Sequence, residues 1–209
     1  MGDTTTSRVP PTASAHHATG KFDYPIYHAE SREAWRAWLE ANHDQERGVW
    51  LCSWKRHTHR PACPYPDAVE EAICFGWIDS TAGTLDDDRR LQLMTPRKPR
   101  SGWTRLNRRR VAEQEDLGRM TDAGRRVVEV ATANGWWLLM DPVEDLIDPD
   151  DLGRALDEVP PARSAWDGFP PSARKQMLWW VVTAARAETR ARRIARIVDE
   201  AEQGRRAQG

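Results

Sequence analysis

The hydrophobic pattern of the chain changes at Trp103. Before this residue the apolar residues form short segments. Two of them, Trp77–Thr81 and Arg89–Thr95, flank a glycine and an acidic run, which predicts a β-hairpin. After Trp103 the apolar residues recur at helical spacing, and the predicted helices cover Arg105–Leu117, Asp122–Asn134, Asp150–Glu158, Ala162–Gly168, Ser172–Ala185 and Thr189–Gln203. The pattern predicts an α+β fold, with a small antiparallel sheet in the N-terminal half packed by helices and an all-helical C-terminal half.

The length of 209 residues suits one domain with its own core. We expect this domain to cover residues 23–209, with a sheet-containing part at about 23–104 and a helical part at about 105–209. Residues 1–22 contain Pro, Thr, Ser, Ala and His but no apolar stretch of the kind found in signal peptides. They are therefore predicted to be a disordered tail.

Charge and cysteine content narrow the class of protein. The net charge is −1, so the chain has no overall field that favours nucleic acid or an anionic membrane as its partner. No apolar run approaches the roughly 20 residues needed to span a bilayer. Cys52, Cys63 and Cys74 lack a C-x-x-C spacing and do not predict a disulfide framework, which favours a reducing, cytoplasmic location.

Standard metal and cofactor motifs do not stand out. The spacing of His57, His59 and Cys63 fits no usual zinc ligand set, and no fourth ligand is evident. The sequence has neither a phosphate-binding loop nor the glycine motif of dinucleotide-binding proteins. We therefore expect no metal and no cofactor.

The start of the first hairpin strand is one candidate site. Alternation along a strand places Trp77 and Asp79 on the same face. Pairing of the two hairpin strands would bring Asp79 near Arg90 or Gln92. Asp79 would then act as a general base or orient a partner, and an ordinary cross-strand ion pair is the alternative.

The segment after the hairpin is a second candidate site. Two prolines stiffen Thr95–Trp103, from which Arg97, Lys98 and Ser101 project as cations and a hydroxyl. Such a segment can hold an anion, with Trp103 stacking on a planar group. The alternative is a basic loop that packs on acidic runs elsewhere in the chain.

Arginines on two predicted helices could extend this surface. Arg105, Arg108 and Arg109 share a helix face and, with the preceding loop, form a basic segment from Arg97 to Arg110 that a polyanion could bind. Near the C-terminus, Arg186, Arg190 and Arg193 also share a face and could close the anion site. Solvated helix faces with surface salt bridges are the alternative for both groups.

Several blocks resemble a known family. The matching blocks are Trp38–His43, Val49–Lys55, Tyr65–Ala72, Cys74–Asp79, Thr95–Asn107, Met120–Gly124 and Glu188–Ile194. With these residues the chain resembles the YdeI/OmpD-associated proteins, also called bacteriocin-protection proteins. The resemblance implies a bacterial, cytosolic α+β protein linked to stress resistance and to tolerance of bacteriocins or cationic antimicrobial peptides. It implies no agreed catalytic residues, and the chain departs from the family at Ala187, where a proline is common, and in the loop around Cys63.

Three functions follow as hypotheses. The first is the binding of a small anionic or planar ligand in a pocket lined by Trp and Arg. The second is an enzyme that uses the same pocket with Asp79 as the acid or base. The third is a module that docks a polyanion or a protein partner through Arg97–Arg110. The candidate ligand-binding residues are Trp77, Arg90, Arg97, Lys98, Ser101, Trp103, Asn107, Arg190 and Arg193.

Overall fold

The computed structural model describes residues 15–19 and 22–207, and this part contains five strands and nine α-helices. The strands are β1 (Ala15–Thr19), β2 (Phe22–His28), β3 (Val49–Trp54), β4 (Trp77–Thr84) and β5 (Arg89–Pro96). The helices are α1 (Arg32–Asn42), α2 (Tyr65–Cys74), α3 (Arg105–Asp116), α4 (Asp122–Ala133), α5 (Asp141–Glu144), α6 (Asp150–Asp157), α7 (Pro160–Gly168), α8 (Pro171–Val182) and α9 (Ala187–Glu202). The predicted α+β class is confirmed.

The strands form one sheet in the order β1-β2-β3-β5-β4. All neighbours are antiparallel except β2 and β3, which are parallel. The parallel pair arises because α1 connects β2 to β3, and a parallel connection needs a crossover of this kind. This pair departs from the purely antiparallel sheet that the sequence predicted, because β2 itself was not predicted.

The predicted hairpin is present as β4 and β5. Its register pairs Asp79 with Met94 and, beyond an irregularity between Asp79 and Ala82, pairs Ala82 with Gln92 and Thr84 with Arg90. Asp79 therefore lies opposite Met94, and the expected pairing of Asp79 with Arg90 or Gln92 is not formed. A bulge of this kind adds residues to one strand and shifts every pairing beyond it.

The predicted helices after Trp103 all occur, with ends that differ by a few residues. One further short helix, α5, lies in the acidic stretch that was predicted to be a solvated connector. Val143 in α5 is buried, and Asp148, which follows it, pairs with Arg163 and Arg174. This stretch is therefore part of the packed structure.

The chain divides into two compact units. One comprises the described part of Met1–Ser101 together with Leu106–Asn134, and it contains the sheet. The other comprises Gly102–Arg105 together with the described part of Gly135–Gly209. The single domain over residues 23–209 stays a prediction. The predicted tail at residues 1–22 lies mostly outside the described residues, and the part at Ala15–Thr19 pairs with β2 as strand β1.

Each unit has its own buried cluster. In the first unit Ile26, Trp50, Cys52, Leu91 and Leu93 pack together on one face of the sheet. In the second unit the cluster is helical, and its largest fully buried side chain is Trp166. No helix among the described residues is both long and apolar enough to cross a membrane.

Candidate functional site

A buried carboxylate joins helices α1 and α2 in the first unit. Glu71 is fully buried, and its oxygens accept from Arg32 Nε at 2.5 Å and from Arg36 Nη1 at 2.9 Å. Arg119 Nη2 also donates to Glu71. A buried charge is tolerated only where partners of opposite charge and hydrogen bonds surround it. This cluster fixes α2, and with it the first residue of that helix, Tyr65.

One face of the sheet lies toward Tyr65. Residues directly opposite each other in an antiparallel pair point to the same side of a sheet. The pairing of Leu51 with Gln92, and of Gln92 with Ala82, places these three side chains on one face. Arg90 and Met94 share that face because each lies two residues from Gln92, and Asp79 shares it because it lies opposite Met94.

Tyr65 meets this face at Asp79. Its hydroxyl donates a hydrogen bond to Asp79 Oδ2 at 2.5 Å. Burial, followed by the hydrogen bond and the charge of Asp79, raises the pKa of Tyr65 to about 12, and the charges of Arg110 and Arg90 act in the opposite direction. The phenol is therefore a neutral donor at ordinary pH, held in place by the carboxylate.

A cleft of about 590 Å³ opens beside Tyr65, and we call it the basic cleft. Its volume lies within the roughly 300–1,000 Å³ that is usual for small-molecule sites. It carries four cationic side chains and no carboxylate. The lining residues are Trp54, Lys55, Arg56, Arg60, Ala62, Cys63, Pro64, Tyr65, Pro66 and Arg90.

The cations of the basic cleft differ in how they are held. Lys55 Nζ donates to the carbonyl oxygen of Asp86 at 2.9 Å, and the guanidinium carbon of Arg60 lies 4.3 Å from the ring centre of Trp54. Across the described residues, Arg56, Arg60 and Arg90 form no ion pair with a carboxylate. Their positive charge is therefore left uncompensated inside the cleft, which suits an anion.

A smaller cavity of about 90 Å³ adjoins the basic cleft, and we call it the inner pocket. The two share Cys63, Tyr65 and Arg90. Its walls come from α2, from Cys63 in the loop before it, and from strands β3, β4 and β5. The lining residues are Leu51, Ser53, Cys63, Tyr65, Ala68, Ala82, Gly83, Arg90, Leu91, Gln92 and Met94.

Arg90 is the one predicted site residue that lines the basic cleft. Asp79 reaches the cleft through Tyr65 without lining it. Trp77 is buried, with its indole N–H donating to the carbonyl oxygen of His43 at 3.1 Å, so its ring offers no open face for stacking. Its predicted stacking role does not fit this burial.

The predicted residues of the loop after β5 lie in different surroundings. Arg97 is buried, and burial lowers its pKa to about 10 while the charge of Asp79 opposes that shift. The backbone N–H of Lys98 donates to Ser101 Oγ at 3.1 Å, which closes a turn and leaves the Lys98 side chain exposed. In α3, Asn107 Oδ1 accepts from Arg110 at 3.0 Å. Arg97, Lys98 and Ser101 therefore do not line the basic cleft with Arg90, and the anion grip that they were predicted to form stays a prediction.

The other predicted residues belong to the second unit. Trp103 is buried there, 4.9 Å from the ring of Trp137, so its predicted stacking role does not fit either. Arg190 forms two hydrogen bonds with Asp151, at 2.6 and 2.7 Å. Arg193 Nη1 donates to the carbonyl oxygen of Trp180 at 2.5 Å. Both arginines therefore support the packing of the helices around α9.

Several cations of the basic segment Arg97–Arg110 are buried or paired with carboxylates. Arg97 is buried, and Arg109 lies 3.4 Å from Glu113 on the same helix. Arg105 contacts the carboxylates of Asp141 and Asp145 in the second unit. Neutralised arginines contribute little to the binding of a polyanion, because that binding depends on free positive charge.

Burial disfavours the charged forms of the three thiols and of the buried histidine. Burial raises the pKa of Cys52 to about 11, of Cys63 to about 12 and of Cys74 to about 11. Burial also lowers the pKa of His28, whose ring lies 4.9 Å from that of Trp54. No group of three metal-ligating side chains comes together within residues 15–19 and 22–207.

The basic cleft contains residues that the sequence reasoning missed. Lys55 was named only in the family resemblance, and Arg56 and Arg60 lie beside the residues His57, His59 and Cys63 that were weighed for zinc binding. A usable signal was present, because residues 55–66 contain three lysines or arginines and no carboxylate. The position of Tyr65 above the sheet had no such signal, since it depends on how α2 packs.

Two family models match separate parts of the chain. Residues 27–127 match a domain of unknown function, DUF8412, and residues 145–204 match the family described as bacteriocin-protection, YdeI or OmpD-associated. No significant match was found among curated proteins or among solved structures. The basic cleft falls within the first matched segment. The resemblance predicted from the sequence is confirmed at residues 145–204, which carry the bacteriocin-protection, YdeI or OmpD-associated family match.

Proposed function

We propose that this bacteriocin-protection-like protein binds a small anionic ligand in the basic cleft of its first unit. One observation carries the proposal: four cationic side chains line a cleft of about 590 Å³ that contains no carboxylate. Arg56 and Arg90 supply exposed guanidinium groups, which bind phosphate and carboxylate oxygens in pairs. Trp54, with Arg60 above its ring, and Tyr65 provide the aromatic side of the site.

Asp79 has a positioning role in this proposal. It fixes the phenol of Tyr65, and it does not line the cleft. A general base must lie within hydrogen-bond reach of the proton that it removes. Binding is therefore favoured over the enzyme hypothesis with Asp79 as acid or base, and the paired state of Arg105 and Arg109 disfavours polyanion docking.

Calorimetric titration with inorganic phosphate and pyrophosphate tests the proposal. The wild-type protein should bind pyrophosphate, and added salt should weaken the binding because the cations are exposed. Arg56→Gln and Arg90→Gln should each lower the affinity about tenfold, the effect of losing one charge-assisted hydrogen bond.

Arg126→Gln is the matched control. Arg126 is an exposed arginine on α4 that forms no ion pair among the described residues and does not line the cleft. The control should bind pyrophosphate as the wild type does. Absence of binding by the wild type, or an equal loss in Arg126→Gln, would show that the basic cleft is not the site.

A further inference from the structure

The inner pocket adjoins the basic cleft and shares one of its cations, Arg90. Cys63, Tyr65 and Arg90 line both cavities, so a ligand bound in one is adjacent to the other. The lining of the inner pocket includes the buried apolar residues Leu51, Ala68 and Met94. A ligand that fills both cavities needs an anionic part and an apolar part.

Two polar side chains at the inner pocket already have partners. Gln92 Nε2 donates to the carbonyl oxygen of Ser80 at 3.1 Å, and the Tyr65 hydroxyl donates to Asp79. Neither donor needs a ligand to satisfy it. An apolar group can therefore enter the pocket without leaving these two donors unpaired, which would otherwise oppose binding.

The volume of the inner pocket limits what can enter. At about 90 Å³ it is smaller than the cavity of roughly 150 Å³ that holds a benzene ring. The space therefore admits only a few carbon atoms. A short, unbranched chain fits these limits, and an aromatic ring does not.

We infer that the ligand is an anion with a short aliphatic chain of about three carbons, whose charged end binds at Arg90 and whose chain fills the inner pocket. This inference rests on the proposed function of the basic cleft. The proposed ligands are therefore short-chain alkyl or acyl anions, and the volume of the inner pocket limits the length of the chain.

Ala82 gives a direct way to fill the inner pocket. It is exposed on β4 and lies opposite Gln92, so a larger side chain there projects into the pocket without entering the core. Ala82→Leu should occupy the space of the ligand chain. Thr81→Leu is the matched control, because Thr81 is the neighbouring exposed residue of the same strand and does not line the pocket.

The experiment is a calorimetric titration with inorganic phosphate and with methyl, ethyl, propyl, butyl and hexyl phosphate. Affinity should rise about fourfold for each buried methylene and stop rising at about three or four carbons. In Ala82→Leu this rise should disappear while inorganic phosphate binds as before. Thr81→Leu should keep the wild-type profile.

The outcomes separate this inference from the proposed function. If inorganic phosphate binds but affinity does not depend on chain length, the inner pocket does not select the ligand and only the inference fails. The same conclusion follows if Ala82→Leu keeps the chain-length profile. If no phosphate binds to the wild-type protein, the proposed function fails and the inference fails with it.

Discussion

The hydroxyl of Tyr65 donates a hydrogen bond to Asp79 Oδ2 across 2.5 Å, which links the first residue of α2 to strand β4. The contact joins a residue that lines the basic cleft to one that the sequence singled out. Because of this contact, the pKa of the Tyr65 phenol depends on the charge of the Asp79 carboxylate. Asp79 thus contributes to the site through the position and pKa of Tyr65.

Replacing Asp79 by Asn should lower the pKa of Tyr65 from about 12 toward its ordinary value near 10. The burial of Tyr65 remains, so we expect only part of the shift to be lost. The raised pKa stabilises the fold at pH below the unfolded pKa, and this contribution is lost as the pH rises from about 10 to about 12. The Asn variant should therefore lose less stability than the wild type across that range.

Carbon NMR of the tyrosine ring measures this pKa, and Tyr65→Phe assigns the signal. An unchanged titration of Tyr65 in Asp79→Asn would show that the carboxylate does not control the phenol. Pyrophosphate binding by Asp79→Asn should weaken less than in Arg90→Gln, because Asp79 acts only through Tyr65.

Glu71→Gln should destabilise the first unit by about 3 kcal/mol, because it removes the buried charge that pairs with the guanidinium groups of Arg36 and Arg119. This loss of unfolding free energy is at the lower end of the range for breaking a buried ion pair, because both arginines keep some contact with solvent. Urea unfolding measures it as a lower midpoint with an unchanged slope.

Glu40→Ala is the control for this change. Glu40 pairs with Arg36 on the exposed side of α1, and its side chain is 56% exposed. Such a pair contributes about 0.3–0.5 kcal/mol. Equal losses in Glu40→Ala and Glu71→Gln would mean that the burial of Glu71 gives it no special role.

The hairpin shows how far the sequence could predict this site. Alternation of apolar residues predicted both strands and the shared face of Trp77 and Asp79, because strand geometry is local. The predicted partner of Asp79 was wrong. The irregularity between Asp79 and Ala82 shifts the pairing of the strands and leaves Arg90 opposite Thr84. A bulge depends on packing between strands, which a single segment does not reveal.

Strand β2 and the basic cleft were missed for different reasons. Pro25 lies inside β2, and a proline argues against a strand when only the sequence is read. The cleft forms where the loop between β3 and α2 covers the sheet, so its residues are distant in sequence from Arg90. Helices such as α4 and α6 were predictable because their amphipathic spacing is contained within each segment.

The three thiols should react slowly in the folded protein. The thiolate is the reactive form, and burial raises the pKa of Cys52 and Cys74 to about 11 and of Cys63 to about 12. We expect alkylation at pH 8 to be far slower in buffer than in urea, where all three become accessible. Rapid alkylation of one thiol per folded protein molecule would identify an activated cysteine. It would then support a nucleophilic role for that cysteine.

Gly124→Ala should destabilise the protein although it places a better helix former in α4. The change gains about 1 kcal/mol of helix propensity. A methyl group at this position would, however, lie 2.3 Å from the carbonyl oxygen of Cys74, which already accepts from the hydroxyl of Thr121 at 2.7 Å. A backbone carbonyl cannot rotate away as a side chain can, so α2 and α4 must separate. Overpacking of this kind costs about 1–3 kcal/mol or more, and we expect it to outweigh the gain.

Gly153→Ala in α6 tests the same substitution without the clash. The nearest atom to a methyl group there is Arg163 Nη2 at 3.7 Å, an ordinary contact. This variant should be more stable than the wild type by about 0.5–1 kcal/mol, because only the helix propensity changes. Thermal or urea unfolding of the two variants should therefore shift in opposite directions. If Gly124→Ala is also stabilising, the close approach of α4 to the end of α2 is not a constraint on the fold, and the docking of Thr121 on Cys74 must be looser than the distances indicate.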